Sequence, residues 1–155
     1  MKRSSPLSMT MSPTEGPDTD GSPAIRILIV EDHVPTGKAI AALLHGTLGR
    51  STPAGRSMTV ATVRDAESAL ESVRDAPPDV VVMDISLPGM NGIEATRRLR
   101  DIAPAVPVII HSRNDTNVYR AMAAEAGVRA FVSKQDTASE LPVWIRSVLE
   151  EAAAG

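Results

Sequence analysis

A few charged and hydroxyl side chains follow short β-branched runs in the sequence, at the points where strands would end. They are Glu31, Asp32, Asp84, Ser112 and Lys134. An ionised carboxylate behind a buried strand is costly unless it meets a cation or hydrogen-bond donors. In open α/β sheets the carboxyl ends of the strands are where ligands bind. If these strands are neighbours, three carboxylates, a hydroxyl and an ammonium group share one edge of the sheet.

Such a group of side chains has a definite chemistry. Clustered carboxylates repel one another unless a cation neutralises them. Ligands that are all oxygen, with neither His nor Cys, suit a hard ion such as Mg²⁺. The metal ion and the Lys134 ammonium would neutralise phosphoryl oxygens, and Asp84 would attack as a nucleophile. The residues therefore predict phosphoryl transfer onto Asp84.

The elements that would position these residues follow from apolar patterning. Val80–Met83 is apolar throughout, which predicts a strand buried on both faces. The other predicted strands are Ile25–Val30, Met58–Val63 at a sheet edge, Val106–His111 and Arg129–Val132. Predicted helices between them carry the inward stripes Ile40-Leu43-Leu44-Leu48, Ala66-Ala69-Leu70-Val73, Ile93-Thr96-Leu99, Val118-Ala121-Met122 and Leu141-Ile145-Val148-Leu149.

This alternation indicates an α/β fold with helices on both faces of a parallel sheet. Right-handed crossovers favour the flavodoxin-like (βα)5 arrangement with strand order 2-1-3-4-5, in which the first and third strands are adjacent. Asp65 is a predicted helix N-cap and Gly127 a left-handed helix stop. For the last helix, Thr137 and Ser139 are equally good caps.

Composition limits the possible functions. A net charge of -3 and a pI near 5.6 do not indicate a basic surface for binding nucleic acid or an anionic membrane. The absence of cysteine excludes disulfides, thiolate metal sites and Cys nucleophiles. Apolar runs fall far short of the ~20 residues that cross a bilayer. We therefore expect a soluble, cytoplasmic protein without direct nucleic-acid binding.

Residues 1–23 differ from the rest, because they are rich in Ser, Thr and Pro and lack apolar periodicity. They predict a disordered, dispensable tail. The folded domain is expected over residues 24–150, and residues 151–155 are expected to form a short C-terminal tail.

Four blocks resemble, in order, the receiver domain of bacterial two-component response regulators. They are Ile27–His33, Met83–Gly92, Ile110–Ser112 and Phe131–Lys134. The resemblance covers roughly residues 25–149. The block around Asp84, with Gly-Met-Asn-Gly-Ile-Glu, is most similar to regulators whose output is a helix-turn-helix DNA-binding domain.

The resemblance implies a role for each matching residue. Asp84 would accept a phosphoryl group from a histidine kinase or a His-phosphotransfer protein. Asp32 and Asp84 would bind Mg²⁺ directly, Glu31 through water and Ser86 through its backbone carbonyl. Lys134 would be the lysine of the family's active site.

The resemblance also implies a conformational switch. Ser112 stands where the family has its switch Ser or Thr, and Phe131 matches the aromatic that moves inward on activation. Arg113 departs from the pattern, since the family usually has a small residue there. This side chain either alters the lifetime of the aspartyl phosphate or turns to solvent without effect.

Two other functions use similar parts. A haloacid-dehalogenase-type phosphatase needs a second Asp two residues after its nucleophile, and this chain has Ser86 there. A flavodoxin-like flavin binder needs a phosphate loop where Glu31 and Asp32 would repel phosphate.

The output is open, because too few residues follow the last helix for an effector domain. A stand-alone receiver and part of a longer regulator are both compatible with the sequence, and so is a homodimer on activation.

Several other residues suggest a site but have a plainer interpretation. His33 and His111 are expected to be structural or exposed. The arginines Arg97, Arg98 and Arg100 are expected to form a solvated face, and Trp144 is expected to be partly buried.

Overall fold

The structure, a computed structural model, describes residues 23–50 and 52–154. In this part of the chain five parallel strands form one sheet in the order β2-β1-β3-β4-β5. The strands are β1 Ile25–Val30, β2 Met58–Val63, β3 Val80–Met83, β4 Val108–Ser112 and β5 Ala130–Ser133. The helices are α1 Val34–Leu48, α2 Ala66–Asp75, α3 Gly92–Ile102, α4 Asn117–Ala126 and α5 Thr137–Ala154. The predicted flavodoxin-like topology is confirmed, whereas the predicted N-terminal tail lies outside the described residues but for Pro23.

The register of the sheet brings the acidic residues together. Val30 of β1 pairs with Met83 of β3. The residues that follow, Glu31 and Asp84, therefore leave adjacent strands at the same level. The amide of Asp84 still donates to the carbonyl of Val30, at 3.1 Å, which fixes the start of the turn.

Apolar side chains fill both faces of the sheet. One layer packs under α1 and α5 and takes Ile25, Ile27 and Ile29 of β1. The other packs under α2, α3 and α4 and takes Leu28 and Val30. All four residues of β3 are buried, as its unbroken apolar run predicts. The central strands are thus packed on both faces close to their carboxyl ends.

Most local signals were interpreted correctly. The stripes of α2 and α3 are buried, and that of α1 is buried except for half-buried Leu43. Asp65 caps α2 by accepting from the amide of Ser68 at 2.7 Å. Gly127 ends α4 with φ 89°, in the left-handed region. None of the helices in the described ranges is long and apolar enough to cross a bilayer.

The predicted bounds of two strands were wrong. β4 begins at Val108 rather than Val106, because Pro107 has no N–H to donate to the ladder. β5 begins and ends one residue later than predicted. Ser112 and Ser133 consequently form the last pair of these two strands. Ser112 is therefore a fully buried strand residue and not part of the following loop.

The predicted inward face of α4 was right for Met122 and wrong for its two other residues. Val118 is 66% exposed, and Ala121 is exposed as well. The helix packs through Met122 together with Tyr119, Ala123 and Ala126. This second stripe has equally regular helical spacing, and its small alanines allow the helix to approach the sheet closely.

Neither predicted cap begins α5. The helix starts at Thr137, directly after a 3-10 turn over Lys134–Asp136. It continues to Ala154 through residues that were expected to form a tail, and Glu151 forms an ion pair with Arg129 of the β5 approach. Trp144 is 39% exposed and lies among the exposed large hydrophobic side chains, so its expected partial burial was wrong.

Candidate functional site

Three carboxylates gather at the carboxyl ends of β1 and β3. Each of Glu31, Asp32 and Asp84 offers an oxygen that lies within 4.8 Å of the others. Glu31 is 2% exposed and Asp84 5% exposed, whereas Asp32 reaches solvent. The gathering expected from the sequence is therefore present, and it combines two buried acids with one open to solvent.

Lys134 brings a single ammonium group into this cluster. Its Nζ donates to Glu31 Oε1 at 2.8 Å and to Asp84 Oδ2 at 3.3 Å. It is the one cation within ion-pairing distance of the cluster in residues 23–50 and 52–154. With three ionised acids, the cluster keeps an excess of negative charge. Burial raises the pKa of Asp84, the charge of Glu31 raises it further, and Lys134 opposes both.

The backbone supplies further donors. Asp84 Oδ1 accepts from the amide of Ser86 at 3.2 Å, and Glu31 Oε2 accepts from the amide of His33 at 3.2 Å. The turn that follows Asp84 depends on Gly92, where a Cβ would lie 2.0 Å from the carbonyl oxygen of Asp84. Asn91 caps α3, because its Oδ1 accepts from the amides of Ile93 and Glu94 at 2.9 Å each. This loop holds the carboxylate of Asp84 toward the cluster.

The carboxylates and Lys134 line a pocket of about 410 Å³. Its other walls are formed by His33, Ser86, Arg113 and Asn114. Ser112 is not among the lining residues: it is fully buried, and its Oγ accepts from the amide of Asn114 at 3.1 Å. In this state of the molecule the hydroxyl satisfies a local backbone group.

Asn114 was missed by the sequence analysis. Its Nδ2 donates to Ser86 Oγ at 2.8 Å, which ties the loop after β4 to the loop after β3 across the pocket. Ser86 lies three residues beyond the end of β3, and Asn114 lies two residues beyond the end of β4. Their contact therefore depends on how the two loops fold, and no sequence signal pointed to it.

Arg113 lies between the pocket and a second, largely apolar groove of about 490 Å³ between α1 and α5. The groove is formed by Pro35, Ala39, Ile40 and Leu43 together with residues of the α5 start. Arg113 and Lys134 line both cavities. A molecule seated in the groove would therefore touch the rim of the acidic pocket.

Phe131 lies on β5, half-buried against the layer under α4. The guanidinium of Arg120 stands 4.6 Å from the centre of its ring, within the range of a cation–π interaction. Arg120 Nε also donates to Asp115 Oδ1 at 2.5 Å. This ion pair and ring contact connect the loop after β4 to the aromatic side chain.

The two histidines that suggested a site are structural and exposed, as expected. His111 is 2% exposed, and burial, followed by the charge of Lys134, lowers its pKa to about 4. Its Nε2 lies 2.7 Å from Thr137 Oγ1. His33 is exposed, with Nδ1 at 2.6 Å from Thr36 Oγ1.

The arginines of α3 form the solvated face that was predicted. Arg97 and Arg98 make exposed ion pairs with Glu94 of the same helix. Arg100 donates to the carbonyl of Gly127 at 3.2 Å.

Comparison with known proteins agrees with this site. The family model of the response regulator receiver domain matches residues 27–146. The chain belongs to this family. The receiver is 31% identical to the alkaline phosphatase synthesis transcriptional regulatory protein SphR of Synechococcus elongatus, over 94% of this chain and 57% of that protein. It is 30% identical to the DNA-binding response regulator MtrA of Mycobacterium tuberculosis, over 80% of this chain and 50% of that protein.

A solved structure gives the same result for the fold. A LuxR-family two-component response regulator from Aurantimonas sp. superposes with a TM-score of 0.72 at 32% identity, over 83% of this receiver and 86% of that chain. The chain spans about half the length of the curated relatives it matches. Neither the phosphatase nor the flavin-binding alternative finds support in these comparisons. The protein is a receiver of two-component signalling, a family in which phosphorylation, Mg²⁺ and a kinase partner are standard.

Proposed function

We propose that this receiver accepts a phosphoryl group on Asp84 from a phosphohistidine of a histidine kinase or a His-phosphotransfer protein. The observation that carries the proposal is the balance of charge around Asp84. This buried carboxylate shares its pocket with two further acids and one ammonium group. A cationic ligand is needed to offset the repulsion between the carboxylates. An incoming phosphoryl group needs the same cation, because its oxygens are also negatively charged.

Mg²⁺ fits the donor set, since the clustered ligands are all oxygen. Asp32 and Asp84 would bind it directly, with the backbone carbonyl of Ser86. Glu31, which Lys134 holds at 2.8 Å, would act through water. When bound, the ion neutralises charge on the phosphoryl oxygens.

In the transfer step a carboxylate oxygen of Asp84 bonds to phosphorus while the P–N bond to the donor imidazole breaks. The electron pair of that bond leaves with the imidazole nitrogen. Lys134, already on Asp84 Oδ2 at 3.3 Å, holds the carboxylate and offers its ammonium to the transferred group. The chain thus promotes chemistry on its own side chain and is not proposed to turn over a separate substrate.

Phosphorylation would then change the loop after β4. The Ser112 hydroxyl, which now accepts from the amide of Asn114, would move and donate to a phosphoryl oxygen. Phe131 would move inward from its place under Arg120. Two packings of the same core would be shifted in population by the new charge. Arg113, at the rim of the pocket, would cover the phosphoryl group and lengthen its lifetime.

The donor would approach over the apolar groove between α1 and α5, because this groove adjoins the acidic pocket at Arg113 and Lys134. A partner helix with an exposed phosphohistidine has the right chemistry for both surfaces. The setting would be the cytoplasm.

We further propose that the output is control of transcription, as the names of SphR and MtrA state for those proteins. It would pass through an effector domain or partner and not through nucleic-acid binding by this receiver. A homodimer formed on activation is one route. Residues 1–23 would lie outside the receiver, so that their deletion leaves phosphorylation intact.

Intact mass spectrometry tests the acceptor. Wild type, Asp84→Asn and the control Asp101→Asn, an exposed aspartate of α3, are each incubated with acetyl phosphate and Mg²⁺. Wild type and the control are expected to gain the mass of one phosphoryl group, and Asp84→Asn none. A wild type that gains no mass with this donor or with a phosphorylated kinase contradicts the proposal.

A further inference from the structure

A chain of two hydrogen bonds runs from the core of the sheet to the backbone of Lys134. Nε2 of buried His111, on β4, lies 2.7 Å from Thr137 Oγ1. The same hydroxyl donates to the carbonyl oxygen of Lys134 at 2.8 Å. His111 is thus connected to Lys134 across 23 residues of sequence, through a single side chain.

The direction of both bonds follows from a count of protons. A threonine hydroxyl has one proton to donate and two lone pairs to accept with. Since Thr137 gives its proton to the carbonyl of Lys134, it must accept from His111. Nε2 therefore carries the proton, and a neutral ring leaves Nδ1 without one. This tautomer gives a fully directed chain, from imidazole to hydroxyl to carbonyl.

The backbone of Lys134 lies beyond the last paired residue of the sheet, so the ladder does not hold it. β5 ends at Ser133, whose pairing with Ser112 is the last of the ladder. Lys134 is the first residue of the 3-10 turn that follows. Its carbonyl is held by the side chain of Thr137, at the point where the chain turns from β5 into α5.

The position of this turn decides where the ammonium group falls. Lys134 Nζ must reach two acids at once, at 2.8 Å from Glu31 and 3.3 Å from Asp84. The lysine stem has four rotatable bonds, so a backbone that drifts lets the ammonium follow Glu31, its nearer partner, and leave Asp84. Charge stabilisation in phosphoryl transfer requires the ammonium group to be placed to within about 1 Å.

We propose that His111 is a positioning residue for phosphoryl transfer, which acts through Thr137 to hold Lys134 at Asp84. In this role His111 does not touch the phosphoryl group, although it is one of the residues that line the groove between α1 and α5. The inference rests on the proposed function, since it names a residue that supports the same site.

Two pairs of variants test the chain of bonds. Thr137→Val removes the hydroxyl at nearly constant shape, and Thr137→Ser restores it. His111→Leu removes the donor, and His111→Gln restores an amide N–H near the place of Nε2. The rate of phosphorylation by phosphoramidate is measured against donor concentration at saturating Mg²⁺, with folding checked by circular dichroism.

Loss of one hydrogen bond is expected to lower the maximal rate by roughly three- to tenfold in Thr137→Val and His111→Leu. The donor KM should change little, and Thr137→Ser and His111→Gln should recover most of the rate. A general packing defect would not be rescued by the polar variants. Equal rates in wild type and Thr137→Val, or no rescue by Thr137→Ser, would overturn the inference.

Nitrogen NMR of the unphosphorylated protein provides a readout without activity. The expected spectrum has a protonated Nε2 and an unprotonated Nδ1 on His111, and Thr137→Val should shift the Nε2 resonance. The opposite tautomer would overturn the inference while leaving Asp84 as the acceptor. A wild type that takes no phosphoryl group would instead overturn the proposed function, and the positioning role with it.

Discussion

The two ends of the sheet hold cavities of similar size but differ in their charges. At the amino end a cavity of about 530 Å³ is lined by Asp79, Arg129 and Glu151 among others. Asp79 accepts from the amide of Arg26 at 2.8 Å, and Arg129 forms an ion pair with Glu151. Each charge of that lining has a partner. Cavity volume therefore does not distinguish the functional end of this fold.

At the carboxyl end the pocket of about 410 Å³ holds three acids, with Lys134 ion-paired to two of them and Arg113 as the second cation of its lining. This arrangement costs folding free energy that the amino end does not lose. The excess of negative charge is sustained because the apolar layers hold the strand ends in place. Unbalanced charge on a well-packed frame therefore marks the end of the sheet at which we propose the phosphoryl site.

The largest difference between the two ends of the sheet is expected when the cation at each end is removed and stability and phosphorylation rate are compared. Lys134→Met leaves buried Glu31 and Asp84 without their shared partner, so unfolding free energy should fall by about 3 kcal/mol. Phosphorylation should slow by about 100-fold, as for loss of one preorganised donor. Arg129→Met, the matched change at the amino end, should cost less than about 1 kcal/mol because its ion pair is exposed. Urea titrations and phosphorylation rates measure both, and similar losses in the two variants would contradict the comparison.

Acidification should reveal the next largest effect, which is expected at His111 near the carboxyl end. Burial holds the pKa of His111 at about 4, below its ordinary 6.5. Between these values the unfolded chain takes up a proton that the folded chain does not. Stability should therefore be full above about pH 6.5 and fall by about 3 kcal/mol toward pH 4.

Urea unfolding across this range should show a shallower fall in His111→Gln than in wild type. His45→Gln, in the exposed last turn of α1 near the amino end, is the matched control for a histidine-to-glutamine change. The raised pKa of Asp84 acts in the opposite sense in all three proteins, so the difference between variants isolates His111. Parallel curves for wild type and His111→Gln would count against the buried neutral ring.

Magnesium should stabilise the carboxyl end selectively. At 100 times its dissociation constant the ion should raise unfolding free energy by about 2.7 kcal/mol in wild type. Asp32→Asn removes one proposed ligand and should lose most of this gain. Asp101→Asn, in the last turn of α3 at the opposite end, should keep it. A calorimetric shift of equal size in both variants would place the ion elsewhere.

The smallest effect is expected at the rim. Arg113→Ala removes a cation from the edge of the pocket and should shorten the lifetime of the aspartyl phosphate by about two- to fivefold. Arg98→Ala, on the exposed face of α3, is the control. The decay of phosphorylated protein is followed by intact mass, and an unchanged Arg113→Ala lifetime would mean that this side chain turns to solvent.

The sequence predicts the frame well because its signals are redundant. The apolar run of β3 and the opposed acids behind β1 and β3 each point to one parallel sheet, and the order of strands then brings Glu31, Asp32 and Asp84 together. Lys134 joins them by the same reasoning, since it directly follows β5 at the same edge of the parallel sheet.

Signals that were ambiguous or non-local could not be resolved from sequence. On α4 two stripes have equal spacing, and only contact with the sheet selects the one through Tyr119 and Ala123. The start of α5 depends on Thr137, whose hydroxyl serves a carbonyl and a distant histidine instead of a cap. The contact of Asn114 with Ser86 joins two loops 28 residues apart. Such pairings depend on the folded geometry of loops, which local patterns do not encode.

Borohydride reduction of the phosphorylated receiver, followed by peptide mass mapping, tests most directly whether the unbalanced acids serve Asp84. Reduction converts an aspartyl phosphate into homoserine. The expected result is homoserine at position 84 alone, formed only when Mg²⁺ was present during phosphorylation. Homoserine at position 32, or equal modification of Asp84 without a divalent ion, would contradict the assignment of the acceptor and of the charge that it needs.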